Sequence, residues 1–127
     1  MIEPWPAIVA SIRSRDTASL PDTFRRALGG IETLAASIAE GPLASDLFGW
    51  TSMFDLCIQQ TDAAPYAAAY LRVSPLPSGS VEFRYVDTGK RERQWHREVP
   101  ADAVVARFDA FLRQLHWIAA LPNTPST

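Results

Sequence analysis

The sequence predicts an α+β domain in which an antiparallel β-meander of three to four strands packs against N-terminal helices and a C-terminal amphipathic helix. Apolar residues recur at helical spacing near both ends of the chain, whereas the segment 71–99 alternates polar and apolar residues with period two. Loops rich in proline and glycine separate the alternating runs. With 127 residues, 47% of them apolar, the chain is long enough to bury the core of a single domain spanning residues 1–127.

Two helices are predicted before residue 41. Apolar spacing favours a short helix over residues 6–13 and a longer one from Pro21 to Glu40, which Gly41 and Pro42 then end. Gly29 and Gly30 interrupt the apolar stripe of the longer helix. Because a glycine in a helix interior costs roughly 1 kcal/mol relative to alanine, the pair indicates a kink or a close helix contact at that point.

The segment between the second helix and residue 74 is ambiguous. Residues 50–60 alternate with period two, which favours a strand, but their large apolar residues would also align on a helix. Residues 61–65 have the composition of a turn. Residues 66–74 are interpreted as a strand, although the three alanines at 67–69 would suit a helix equally well.

The register of the meander follows from the expected loop lengths. A three-residue loop over 88–90 places Phe83 opposite Trp95, and a five-residue loop over 75–79 places Val73 opposite Val81. Both choices keep these side chains on one apolar face. A slip of one residue would instead place Gln94 and His96 among the aromatic rings, which is unfavourable in a core.

A C-terminal amphipathic helix is predicted to begin at Pro100 and to end at Leu121 and Pro122. Its apolar stripe runs from Val104 to Ile118, and Trp117 is expected to cover the edge of the core against the N-terminal helix. Residues 122–127 are predicted to be a flexible tail.

The opposite face of the predicted sheet is polar and is the candidate functional surface. Two cross-strand rows are expected, Arg72–Glu82–His96 and Tyr70–Arg84–Gln94, next to a basic hairpin loop. One interpretation is a solvated face whose ion pairs only set the register. The other is a recognition surface, because arginine and tyrosine are enriched at interface hot spots and basic loops bind acidic partners. The predicted partner-binding residues are Tyr70, Arg72, Glu82, Arg84, Lys90, Arg91, Gln94 and His96.

Composition argues against several other classes of protein. The net charge of −2 argues against a nucleic-acid binder, and the single cysteine, Cys57, excludes an intramolecular disulfide and a four-cysteine zinc site. No metal-binding or cofactor motif is present, so no cofactor is expected. Catalysis by Cys57 with His96 or His116 has no supporting signature, so an enzyme is disfavoured.

The sequence shows no signal peptide and no membrane span, which predicts a cytoplasmic protein, and the arginine-rich, lysine-poor composition suggests a bacterial source.

In its small size, acidic balance, expected fold and charged sheet face, the chain resembles bacterial immunity proteins, which neutralise a partner toxin. The resemblance is one of gross features and rests on no motif. It implies a non-catalytic protein-binding domain, a monomer or homodimer, whose partner is a toxin or effector protein. Two alternatives stay open: a small acidic secretion chaperone, and a small ligand-binding or enzymatic domain with a pocket between helix and sheet.

Overall fold

The structure, a computed structural model, describes residues 1–117. The helices in this range are α1 (Trp5–Arg13), α2 (Asp22–Glu40) and α3 (Val104–Gln114), and the strands are β1 (Phe48–Ser52), β2 (Asp55–Gln59), β3 (Tyr70–Pro75), β4 (Val81–Val86) and β5 (Trp95–Val99). The strands form one antiparallel sheet in the order β1-β2-β3-β4-β5. The predicted α+β class is confirmed, with five strands in the sheet rather than three or four. None of the helices within residues 1–117 is both long enough and apolar enough to cross a bilayer.

The additional strand comes from the ambiguous segment 50–60, which was predicted as one strand. It contains the end of β1, a turn and all of β2, so the segment forms most of a hairpin. Its turn lies at Met53 and Phe54, and Met53 adopts a left-handed backbone with φ of 58°. The Phe54 ring packs edge-on against Phe24 at 5.4 Å between centroids, and the Arg15 guanidinium lies 5.4 Å from the Phe54 ring centroid. Tertiary contacts therefore hold a turn that no glycine, asparagine or proline marks in the sequence.

All three helices pack against the same face of the sheet, which we call the inner face. At its centre the Phe83 ring lies between Phe108 and Phe111 of α3, at 6.4 and 5.0 Å between centroids, and Trp95 lies 4.9 Å from Phe111. Phe83 and Trp95 thus share the inner face, as predicted. The other strand residues buried in this core are Leu56, Ile58, Leu71, Val73, Val81, Tyr85 and Val99.

The β4–β5 register differs from the prediction by two residues. Trp95 lies opposite Tyr85 rather than Phe83, and Phe83 faces Arg97. The connection spans residues 87–94 instead of three residues, because both the Asp87 carbonyl and its carboxylate accept the backbone N–H of Lys90, at 3.1 and 3.2 Å, and a 3₁₀ turn follows. The longer loop moves the aromatic pair: Tyr85 and Trp95 stack at 6.0 Å between centroids.

The β3–β4 register is also shifted by two residues. Val73 lies opposite Phe83 rather than Val81, because the five-residue loop spans residues 76–80 instead of 75–79. The backbone N–H of Leu76 donates to the carbonyl of Ser80 at 2.9 Å, and Gly79 supplies the left-handed conformation, with φ of +96°, that the tight turn requires. Since both shifts are even, every side chain within β3, β4 and β5 stays on its predicted face while its cross-strand neighbours change.

Helix α3 ends earlier than predicted, at Gln114 rather than near Leu121. His116 adopts φ of 59°, its N–H donates to the Arg113 carbonyl at 3.1 Å, and the Trp117 N–H donates to the Leu112 carbonyl at 3.0 Å. These are the paired bonds of a Schellman motif, in which histidine occupies the position usually taken by glycine. Trp117 therefore turns back onto the Tyr85 ring, 6.2 Å away between centroids, instead of covering the N-terminal helix. Ile118 and the predicted tail 122–127 lie outside the described residues.

The two adjacent glycines of α2 differ in their surroundings. A Cβ atom built on Gly30 would lie 2.8 Å from the backbone carbonyl oxygen of Ala101, whereas one on Gly29 would meet nothing within 4 Å. Gly30 thus permits the chain preceding α3 to approach the helix, which confirms the predicted close contact. Gly29 has no such constraint.

We expect Gly30→Ala to lower the free energy of unfolding by about 1–3 kcal/mol, because backbone must move to admit the methyl group. Gly29→Ala, its matched control, is expected to raise the free energy of unfolding by about 1 kcal/mol through helix propensity alone. Urea denaturation of both variants measures the difference. Equal effects of the same sign would contradict this assignment of the two glycines.

Candidate functional site

The face of the sheet opposite the helices, which we call the outer face, presents side chains in cross-strand rows. Its central row crosses all five strands and has two arginines side by side, while a neighbouring row is rich in carboxylates. The central row is Trp50, Cys57, Arg72, Arg84 and His96. The acidic row includes Ser52, Asp55, Ser74, Glu82 and Glu98.

The central row corrects the predicted one. Arg72 lies opposite Arg84, and Arg84 lies opposite His96, whereas the sequence predicted Glu82 between Arg72 and His96. The two-residue shift of both hairpins moves Glu82 into the next row, opposite Glu98. Like charges directly opposed on a sheet are unfavourable, so this arrangement depends on how each arginine is neutralised.

Arg72 is neutralised within the site by Asp55. Its Nε donates to Asp55 Oδ2 at 2.6 Å, and both side chains are only 19% exposed. Burial alone would lower the pKa of Arg72, but the hydrogen bond and the negative charge of Asp55 raise it on balance. Arg72 is therefore a fixed cation, already engaged by a carboxylate.

Arg84 is engaged much less. Its Nε lies 3.5 Å from Glu82 Oε1 along the same strand, and its side chain is 46% exposed. Beside it lies an open depression of about 300 Å³ between β4 and β5. It is lined by residues 84–86 of β4 and residues 94–96 at the start of β5. Arg84 can thus donate hydrogen bonds to a carboxylate or another anionic group brought by a partner.

An aromatic cluster lies at the other end of the outer face. The rings of Trp50, Tyr66 and Tyr70 lie 5.2–5.5 Å apart between centroids. Trp50 and Tyr70 are buried, whereas Tyr66 is 52% exposed and adopts a left-handed backbone with φ of 70°. Residues 66–74 were predicted to form one strand, but β3 begins only at Tyr70. The residues before it form a turn that places Tyr66 over the sheet.

The Tyr66 phenol lies among hydrogen-bond donors. The Trp50 side chain, followed by that of Ser52, lowers the pKa of Tyr66, because donors near the oxygen stabilise the phenolate. Among the described residues the indole nitrogen of Trp50 makes no well-aligned hydrogen bond, although it is buried. Polar groups thus lie around the aromatic cluster, but within residues 1–117 the Trp50 indole N–H still lacks a well-aligned acceptor.

The structure distributes the sequence-predicted site residues over three places. Arg72, Glu82, Arg84, His96 and the largely buried Tyr70 lie on the outer face. Gln94 lines the depression, and its Oε1 accepts the backbone N–H of Asp87 at 3.0 Å. Lys90 and Arg91 are exposed in the β4–β5 loop, outside the rows. Sequence reasoning missed Trp50, Ser52, Asp55 and Tyr66, since these belong to the segment whose strands could not be paired from the sequence.

Cys57, on β2, is the buried cysteine of the central row. Desolvation raises the pKa of its thiol to about 11, so the reactive thiolate is scarce at neutral pH. His96 lies three strands away along the row, roughly 14 Å at the usual spacing of neighbouring strands. A Cys57–His96 pair therefore does not form. Within residues 1–117, no group of three or more histidine, cysteine or acidic side chains could hold a metal ion.

The Cys57 thiol should make stability depend on pH in alkaline solution. The unfolded chain loses the thiol proton near pH 9.0, whereas the folded chain keeps it to about pH 11. The free energy of unfolding is expected to fall by about 2–3 kcal/mol between these values, since the folded state resists deprotonation. Urea denaturation of the wild type and Cys57→Ala measures this as a difference between two pH profiles. Parallel profiles from about pH 8 to 11 would contradict it.

No protein-family model, curated protein or solved structure matches the chain. The outer face carries a cationic row, an acidic row and an aromatic cluster, and its depression between β4 and β5 is open to solvent. That combination is suited to contact with another macromolecule rather than to enclosure of a small substrate.

Proposed function

We propose that the chain is a non-catalytic protein-binding domain that binds its partner through the outer face. The observation that supports this most is the one-sided cover of the sheet: all three helices lie on the inner face, while the exposed side chains of the outer face include Tyr66 and Arg84. These residue types contribute most to binding energy at protein interfaces.

Charge pattern gives the proposed interface its orientation. Arg84 and His96 lie in the cationic row, and Glu82 and Glu98 lie beside them in the acidic row. A complementary partner would bring an acidic group over Arg84 and a basic group over the acidic row. Such a pairing specifies the partner and its register more than it adds to affinity.

Within this class we propose an immunity-type protein, which neutralises a partner toxin or effector by covering part of its surface. A stoichiometric inhibitor needs a rigid recognition surface and no reactive group of its own. The proposal is supported by a recognition surface built on five paired strands and by the protonated state of Cys57. A secretion chaperone would need a helix between strands, whereas β1 to β5 follow one another without an intervening α-helix.

Charge reversal on the outer face tests the proposal. The wild-type chain captures its partner from the native host, and Arg84→Glu is expected to weaken that binding about tenfold or more, roughly 1.4 kcal/mol. Glu82→Arg, which reverses the neighbouring row, is expected to weaken it as well. Calorimetric titration of the purified partner gives the dissociation constants.

Arg26→Glu is the matched control, because it makes the same charge change at an exposed position of α2 on the helix side of the sheet. It should leave the dissociation constant unchanged. A partner that binds Arg84→Glu and Glu82→Arg as tightly as the wild type would show that the outer face is not the interface. If the partner is a toxin, co-expression should restore growth with the wild type and with Arg26→Glu, but not with Arg84→Glu.

A further inference from the structure

The two edges of the sheet differ in their free backbone groups. Leu76 and Ser80 form a hydrogen-bonded pair, and such pairs alternate with non-hydrogen-bonded pairs along an antiparallel ladder. Glu82 and Arg84 therefore direct their backbone N–H and C=O groups toward β3. The alternate residues Val81, Phe83 and Tyr85 direct theirs toward β5. Their partners on β5 are Val99, Arg97 and Trp95. It follows that His96 and Glu98 direct their N–H and C=O groups away from the sheet, along the outer edge of β5.

The opposite edge, at β1, is already occupied. The Glu3 N–H donates to the Gly49 carbonyl at 2.9 Å, and the Glu3 carboxylate accepts the Thr51 N–H at 3.3 Å. Glu3 thus binds two of the outward backbone groups of β1, the Gly49 carbonyl and the Thr51 N–H. Within residues 1–117 no backbone segment does the same for β5.

The Arg97 side chain covers part of the β5 edge. Arg97 has the parity of the inner face, yet it is exposed, and its Nη1 donates to the outward carbonyl of His96 at 2.8 Å. Its guanidinium also lies 5.5 Å from the Trp95 ring centroid. An inward-pointing charge on an edge strand is a recognised means of preventing unwanted strand pairing.

The helix side of this edge is basic. Arg97 lies over Trp95, and Arg107 of α3 lies over Phe111 at 5.2 Å from the ring centroid. The two rings are in contact, 4.9 Å apart between centroids. An added strand would place one side chain directly opposite Arg97, where a cation or an apolar group is unfavourable and a carboxylate forms an ion pair.

We propose that the β5 edge accepts an extended segment of a partner protein as an antiparallel sixth strand, selected by an acidic residue opposite Arg97. Backbone bonds to His96 and Glu98 supply the pairing, and Arg97 exchanges its bond to the His96 carbonyl for the partner's carboxylate. This goes beyond the proposed function, because it concerns the edge of the sheet and not the outer face, and the two can fail separately.

The probe is a synthetic peptide of this chain's own residues 93–101 carrying Arg97→Glu. Antiparallel pairing centred on residue 97 sets its glutamate opposite Arg97 of the protein and sets His96 opposite Glu98 on both sides. The native peptide 93–101 is the matched control, since it sets arginine against arginine. By fluorescence anisotropy, the glutamate peptide is expected to bind the full-length protein about tenfold or more tightly than the native peptide.

Reversing the charge on the protein completes the test. Full-length Arg97→Glu should prefer the native peptide over the glutamate peptide by a similar factor, because the ion pair is then restored in the opposite sense. Position 97 is exposed, and circular dichroism checks that the variant is folded. A preference that does not reverse would overturn the proposal.

Backbone methylation tests the strand geometry on the wild-type protein. N-methylation of the glutamate peptide at positions 96 and 98 removes the N–H groups that pair with β5 and should abolish binding. N-methylation at position 97, whose N–H points away, should leave binding within about twofold. Equal losses at all three positions, or no binding of the unmethylated peptide, would overturn strand addition. Retained peptide binding in Arg84→Glu would show that the edge acts independently of the outer face.

Discussion

The alternation of β4 between core and surface is the constraint on which the rest of the structure depends. Phe83 is fully buried against Phe108 and Phe111, so Glu82 and Arg84 on either side of it must face away from the helices. Because neighbouring strands pair in register with β4, this parity extends across the sheet. The charged surface is therefore a consequence of where one aromatic residue packs.

This constraint explains how much of the site could be predicted from the sequence. Face assignment depends only on odd or even spacing, which the alternation of polar and apolar residues shows directly. Cross-strand neighbours depend on where each loop begins and ends, and the start of the loop after β4 is set by Asp87, whose carboxylate accepts the backbone N–H of Lys90. Asp, Thr, Gly and Lys in succession fit a short turn as well as a long one. Arg72 and His96 thus share a row on the predicted face, but Arg84 rather than Glu82 lies between them.

The remaining part of the site could not be predicted because its structure is held by contacts between distant segments. The β1–β2 turn has no local turn signal and is anchored by Phe54 against Phe24, thirty residues away along the chain. Similarly, Tyr66 holds its left-handed backbone over Trp50 and Tyr70, which belong to different strands. The local sequence of residues 50–60 favours neither helix nor strand clearly, and packing against distant residues decides in favour of strands. Asp55, the residue that neutralises Arg72, enters the site only through this hairpin.

The electrostatics of the central row distinguish its two arginines. A sheet optimised only for stability would separate Arg72 and Arg84 or give each a close carboxylate, since opposed like charges cost free energy. Here Asp55 binds Arg72 at 2.6 Å in a largely buried pair. Within residues 1–117 the one ion pair of Arg84 is with Glu82, at 3.5 Å, and Arg84 faces His96 on the neighbouring strand. The positive charge of the row is thus neutralised on the β2 side, at Arg72, and only partly neutralised on the β5 side, at Arg84. Local conflicts of this kind concentrate where proteins bind other molecules. The incompletely neutralised arginine lies beside the open depression and next to β5, whose outer edge pairs with no segment among residues 1–117. Surface charge and unpaired backbone groups of the described chain thus lie at the same margin of the sheet.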